Sequence, residues 1–295
     1  MIHRRTRRQQ ATTVGIYVLL TALSVLCLLP LLNVLSISLS SASAIQAGKV
    51  AFLPVELTGR AYAFVARKEA FLTSIAVSAE RVLLGLAINM LLTVLVAYPL
   101  SKESAQFAFR TGYAWLFVFT MLFSGGLVPS YILVKELGLL NTLWALVLPG
   151  AVPVFNVILM LNFFRALPKA LLEAAFMDGC GHWKLLWRIV VPLSLPSMAT
   201  VGLFTIVGHW NEWFAGILFM NDSAQYPLAS YLQTVVVQMD FSKITNIDDA
   251  IYMQSLDDRA VRAAQIFLGA LPVLIVYPLL QRYFMTGIVL GSVKE

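Results

Sequence analysis

LEAAFMDGCGHWKLLWRIVVPLSLP, residues 172–196, interrupts a chain that is otherwise a succession of long apolar runs. In the C-terminal two-thirds it is the one long stretch patterned as a water-facing helical element. Ala174 and Ala175 favour helix, and Pro168 suits a first helical turn. Leu172, Phe176, Gly179 and Trp183 recur at helical spacing and predict one apolar stripe. Asp178-Gly179 is a turn signal, closely followed by Gly181. The expectation is two short helices with a bend between them, lying across a membrane face, with Pro192 opening the next span, where its missing N–H costs little.

Around this stretch the chain of 295 residues is 59% hydrophobic and 12% charged, with mean hydropathy +0.81. Soluble domains carry about 25% charged residues, so the composition is that of a polytopic membrane protein. The net charge of +6 is concentrated at the N-terminus and in short loops. That distribution orients a protein in a bilayer and does not suit nucleic-acid binding. The two cysteines, Cys27 and Cys180, define no disulfide framework.

Six apolar spans follow in order. Residues 1–13 are basic and polar, and the run from Val14 to Ser38 exceeds the 7–15 residues of a signal-peptide core. It therefore reads as an uncleaved first span, although Ala42-Ser43-Ala44 resembles a cleavage site. Residues 39–70 read as an extracytoplasmic segment without strong regular structure. Leu72–Leu100 is the second span, with Glu80 and Arg81 expected to face headgroups or other helices. Gly112 to about Tyr131 is the third, ending in FSGGLVPS; Leu143–Phe164 is the fourth, interrupted by Pro149 and Pro153. Ser197 to about Met220 is the fifth and Ala263 to about Phe284 the sixth, after a polar segment rich in aspartate. The expected fold class is all-α: six transmembrane helices within residues 14–285, a helical coupling loop at 165–196, and a tail at 286–295. Basic residues at the N-terminus, around Lys102 and Arg110, and around Arg165 and Lys169 put both termini and the coupling loop in the cytoplasm.

Catalysis by this chain alone is not expected. It contains no P-loop, no H-E-x-x-H and no cysteine or histidine cluster at zinc spacing, so no catalytic or metal-ligating residue is assigned. The densest polar-aromatic cluster in any span is His209-Trp210-Asn211-Glu212-Trp213. Sugars present hydroxyls and apolar C–H faces, and this cluster supplies partners for both. Trp210, Asn211 and Glu212, with Asn156 from the fourth span, are the candidate pathway residues. The alternative for Asn211 and Glu212 is helix–helix or subunit adhesion.

Residues 172–196 also resemble the EAA loop of permease subunits of ATP-binding-cassette (ABC) importers: Glu173-Ala174-Ala175, Asp178-Gly179, Ile189, Pro192 and Pro196 stand at the family spacing. H-W-N-E-W is similar to the fifth-span pattern of maltose-type carbohydrate permeases. Residues 123–150 and the tail QRYFMTGIVLGSVKE resemble a branch handling complex oligosaccharides such as alginate. The resemblance implies an oligosaccharide importer subunit in the bacterial inner membrane, with Glu173, Ala174, Ala175, Asp178 and Gly179 docking on an ATPase. It implies a second permease subunit, two ATPase subunits carrying ATP and Mg, and an extracytoplasmic solute-binding protein; this chain needs no cofactor. An ion-coupled secondary sugar transporter is the rival reading. It would use Glu80, Arg81 and Glu212 for coupling but leaves the loop unexplained.

Overall fold

The computed structural model describes residues 7–237 and 257–292, and every regular element among them is helical. The expected all-α class holds. Two compact units are present, Met1–Glu69 with Val235–Ala270, and Ala70–Thr234 with Leu271–Glu295.

In the first unit, α1 (Arg7–Ser38) contains the apolar stretch Thr12–Ser38 and leaves most of its leucines and valines exposed, as a lipid-facing helix does. The following segment is more ordered than expected. It forms α2 (Ala42–Gln46), capped by the Ser41 hydroxyl on the Ala44 N–H, and α3 (Arg60–Arg67). The Glu56 carboxylate accepts from the Ser41 and Ser43 hydroxyls, which hold its pKa below the usual range. Short polar side chains thus organise a segment whose breakers had suggested irregular chain.

The second unit is built on α4 (Glu69–Ser101). Beside it stand three bent helix pairs. Helices α5 (Arg110–Leu122) and α6 (Leu127–Glu136) meet at 108°, with the glycine pair Gly125-Gly126 in the break. Helix α7 (Leu143–Val147) runs through a 3-10 turn to Gly150 and meets α8 (Val154–Ala166) at 51°, where Pro153 removes a donor. After α9 (Lys169–Met177), α10 (His182–Leu185) continues through a π turn, Leu186–Val190, into α11 (Val191–Leu193). That run meets α12 (Leu195–Asn211) at 81°. Helices α13 (Phe214–Phe219) and α14 (Leu228–Leu232) follow, and α15 (Asp258–Ser292) ends the described chain. Three single helices and three bent pairs have the length and composition of membrane crossings.

Three expectations change. Pro192 does not open the next span: the π turn, with the Val191 N–H on the Leu186 carbonyl, carries helix past it, and Pro196 sits in the first turn of α12. The fifth span does not reach Met220, because the helix stops at Asn211. The last helix continues to Ser292, well past Phe284. Asp240, Asp248 and Asp249 of the aspartate-rich segment lie outside the described residues.

Packing is inverted relative to a water-soluble protein. The buried stripe of α4 includes Ser74, Ser78, Arg81, Gly85, Asn89 and Thr93, while Leu72, Leu83 and Leu91 face outward. In a bilayer lipid tails are as apolar as leucine, so small and polar residues make the helix contacts. Toward the other end of α4 the seam turns apolar: Val94, Ala97, Tyr98 and Leu100 join Val157, Met160 and Phe164 of α8 with Leu185, Leu186 and Val190. One core therefore ties the spans to the loop element that follows α8.

Candidate functional site

The polar seam of α4 collects the places where neighbouring helices break. Ser78 Oγ accepts from the Leu228 N–H at 2.7 Å, at the start of α14. Arg81 reaches two breaks. Its Nη2 meets Glu212 Oε2 at 2.7 Å and the Leu146 carbonyl at 3.3 Å, and its Nη1 donates to the Glu212 carbonyl at 2.9 Å. Glu212 Oε1 accepts from the Ala215 N–H at 2.9 Å, in the first turn of α13. The carboxylate thus joins a buried guanidinium to the N-terminal end of a helix, where negative charge is favoured. Irregular backbone within a span survives only where protein satisfies it, and Arg81 does so here. The pair is asymmetric: the Arg81 side chain is 3% exposed and that of Glu212 36%.

One turn further along α4, the ring of His209 lies over Gly85, where no side chain fits. His209 Nε2 is 3.2 Å from the Asn89 amide. With the Asn89 oxygen toward the ring, its nitrogen donates to the Gly85 carbonyl at 3.1 Å and the Ala151 carbonyl at 3.3 Å, so His209 carries its proton on Nε2. The α7–α8 break, already reached by Arg81 at Leu146, is thereby held by α4 a second time at Ala151.

The pathway candidates do not share a face. Asn156 is 6% exposed and donates to Thr205 Oγ1 at 3.2 Å. Trp210 is 9% exposed, Asn211 and Trp213 face outward, and Glu212 is committed to Arg81. The cluster looked like one helical turn, but α12 ends inside it. Sequence reasoning noted the Arg81 charge and missed its partner. Gly85 and Asn89, four and eight residues beyond Arg81, were the available sign of an inward polar stripe.

The loop element is a short helix with one face anchored and one free. Ala175 is buried, and Leu172, Phe176 and Cys180 pack on the same core. Glu173, Ala174, Asp178 and Gly179 are exposed, with Met177 at 88% and Trp183 at 67%. The stripe is therefore Leu172, Ala175 and Phe176; Gly179 and Trp183 lie off it, because the helix ends at Met177. Its end is a Schellman motif: the Cys180 N–H bonds the Ala175 carbonyl at 2.9 Å and the Gly179 N–H bonds Phe176 at 3.0 Å. Gly179 has φ +75°, a conformation costly for other residues. Across the turn, His182 Nδ1 lies 3.0 Å from Tyr98 Oη, with its ring edge-on to Phe176, so both halves of the element are pinned to the end of α4.

Whole and broken apolar crossings, a polar seam that holds the breaks, and a surface element welded to the spans define a multi-pass membrane permease. The chain belongs to the family described as binding-protein-dependent transport system inner membrane component, whose model matches residues 3–289. It is 36% identical over 284 residues to the polygalacturonan/rhamnogalacturonan transport system permease protein YtcP of Bacillus subtilis, covering 95% of this chain and 96% of that one. It is 39% identical over 267 residues to the protein LplC of the same organism, covering 90% and 89%. A chain from the crystal structure of a bacterial ABC transporter involved in the import of the acidic polysaccharide alginate superposes with TM-score 0.86 at 30% identity, covering 95% of this chain and 99% of that chain. The chain is thus a transport subunit of the bacterial inner membrane, and the ion-coupled reading falls.

Proposed function

We propose that the chain is one of two different permease subunits enclosing the pathway of an ATP-driven oligosaccharide importer. Two ATPase subunits dock on its cytoplasmic face, and a solute-binding protein delivers the sugar from the other side. Both termini are cytoplasmic. The single observation carrying this reading is α9, anchored by Leu172, Ala175 and Phe176 and presenting Glu173, Ala174, Asp178 and Gly179 with exposed Met177. A free face on a helix fixed to the core of the spans is what a docking knob needs. The transport of polygalacturonan, rhamnogalacturonan and alginate by relatives supports acidic oligosaccharides as the substrate class.

In this reading ATP-driven closure of the ATPase pair moves α9–α11 and, through the shared core, α4, α8 and α12. The two states must bind nucleotide and sugar differentially, or no equilibrium shifts. Trp210, Asn211, Glu212 and Asn156 flank the pathway, and the Arg81–Glu212 bond belongs to the state described here.

Glu173→Lys and Gly179→Arg in the purified complex test it. Membrane levels stay normal while sugar-stimulated ATP hydrolysis and uptake collapse. Normal hydrolysis and uptake in both variants would remove α9 from coupling. A reporter fused at Glu295 that proved extracytoplasmic would overturn the orientation.

A further inference from the structure

Between the ends of α4 and α8, the 102–110 loop and α9 lies a cleft of about 340 Å³, within the range of small-ligand sites. Its wall carries four basic side chains, Lys102, Arg110, Arg165 and Lys169, against two acidic ones, Glu103 and Glu173. The two outer charges, Lys169 and Glu103, pair with each other at 2.6 Å. Lys102 and Arg110 are half-buried and Arg165 is exposed; none of the three forms an ion pair among the described residues, and Arg110 acts on Glu103 only through its charge. Lys102 Nζ rests 4.3 Å from the Tyr98 ring centroid, Arg110 Nη1 donates to the Lys102 carbonyl at 2.8 Å, and Arg165 Nη2 donates to the Leu100 carbonyl at 3.1 Å. Arg110 Nε is buried without a partner. Burial holds the Lys102 ammonium below the usual lysine range, which an arriving anion would reverse.

We propose that this cleft binds the phosphodiester headgroup of an acidic phospholipid of the cytoplasmic leaflet, held by Lys102, Arg110 and Arg165. Three observations select a lipid. The cations stand at the ends of α4, α5 and α8, helices with the length and composition of membrane crossings, whose ends meet the headgroup region of a bilayer. Phe164, Leu172 and Val190 add apolar side chains to the lining. Helix α5, which starts at Arg110, buries no side chain and exposes Trp115, Leu116 and Phe119, an apolar track for acyl chains. Planar guanidinium groups match phosphate oxygens in pairs. The site rests on the orientation proposed above and is lined by Lys169, Leu172, Glu173 and Phe176 of α9, so an occupied cleft stiffens the coupling element beside its docking carboxylate.

Native mass spectrometry of the intact complex, exchanged into detergent with phosphatidylglycerol or phosphatidylethanolamine, tests it. Phosphatidylglycerol is retained and phosphatidylethanolamine is not. The Lys102→Gln/Arg165→Gln variant retains it about 25-fold more weakly, from about fivefold for each charge removed, while Lys102→Arg/Arg165→Lys keeps it. Equal retention of both lipids by the unmodified complex, which needs no variant, overturns the proposal. So does undiminished retention by the neutralised variant. Displacement by inorganic phosphate at the lipid's own affinity would make the source a soluble anion and overturn the lipid assignment. Lipid retention is read without ATP turnover, so its failure is distinguishable from failure of the coupling role of Glu173.

Discussion

Gly85 lies directly beneath the imidazole of His209: a methyl carbon placed there would stand 2.4 Å from Nε2. The contact locks α4 against the last turn of α12. Gly85→Ala must push the ring off Asn89, at a cost of about 1–3 kcal/mol as an overpacking change. The thermal midpoint of the solubilised complex falls. Gly85→Ala/His209→Ala falls by less than the sum of the single changes, because the clash is gone. Strict additivity would show that the ring yields freely.

The Arg81–Glu212 pair is unequal, and its variants should be too. Glu212→Ala strands a buried guanidinium and removes the acceptor for the Ala215 N–H. Arg81→Ala leaves a carboxylate that is only part-buried and keeps its helix-end bond. Orphaning a buried ionic partner costs about 3–5 kcal/mol, so Glu212→Ala is the more damaging. Arg81→Leu/Glu212→Leu loses less than the two single changes together. Denaturant titration of the four proteins decides it, and equal losses for the single variants would contradict the asymmetry.

At Gly179 the backbone matters as well as the surface. Asparagine tolerates positive φ better than other non-glycine residues, so Gly179→Asn keeps the turn and most of the coupling. Gly179→Val adds about 1–2 kcal/mol of strain and opens the turn. Sugar-stimulated ATP hydrolysis ranks glycine above asparagine and both above valine; equal activity would mean the turn geometry is irrelevant.

The Glu103–Lys169 pair is on the surface and should matter little for stability. The hydrogen bond and charge of Lys169 hold Glu103 below the usual carboxylate range, and Glu103 holds Lys169 above the usual lysine range. The Glu103 contribution is present above its unfolded pKa and lost as pH falls through the lowered folded value. The Lys169 contribution is present below its unfolded pKa and lost as pH rises through the raised one. A double-mutant cycle should show a small coupling, flat through neutral pH, fading at both extremes and shrinking with salt. A coupling that survives protonation of Glu103 would assign it to something other than the ion pair.

Apolar run lengths were enough to read six crossings, and Asp178-Gly179 was enough to read the turn, because hydrophobic length and left-handed backbone are written locally. Prolines marked the breaks at Pro149–Pro153 and Pro192–Pro196. Which proline ended a helix was not legible: a π turn that carries helix past Pro192 depends on packing around Leu186 and Val190. The end of α12 inside the His209–Trp213 cluster was equally hidden, since Glu212 leaves the helix only because Arg81, 131 residues away in sequence, satisfies it there. Tertiary partners of this kind have no local signature. The stripe on α9 is shorter than its pattern for a simpler reason: the helical spacing continues to Trp183, four residues past the glycine that stops the helix.

The 81° corner at Ser194 makes α10–α12 a bell crank. The arm beyond the corner holds 17 residues and is about 25 Å long. A swing of about ten degrees at the corner sweeps Asn211 through roughly 4 Å at that arm length, more than the reach of the hydrogen bonds that tie Glu212 to Arg81. A small nudge at the short arm is therefore enough to unlatch the far end.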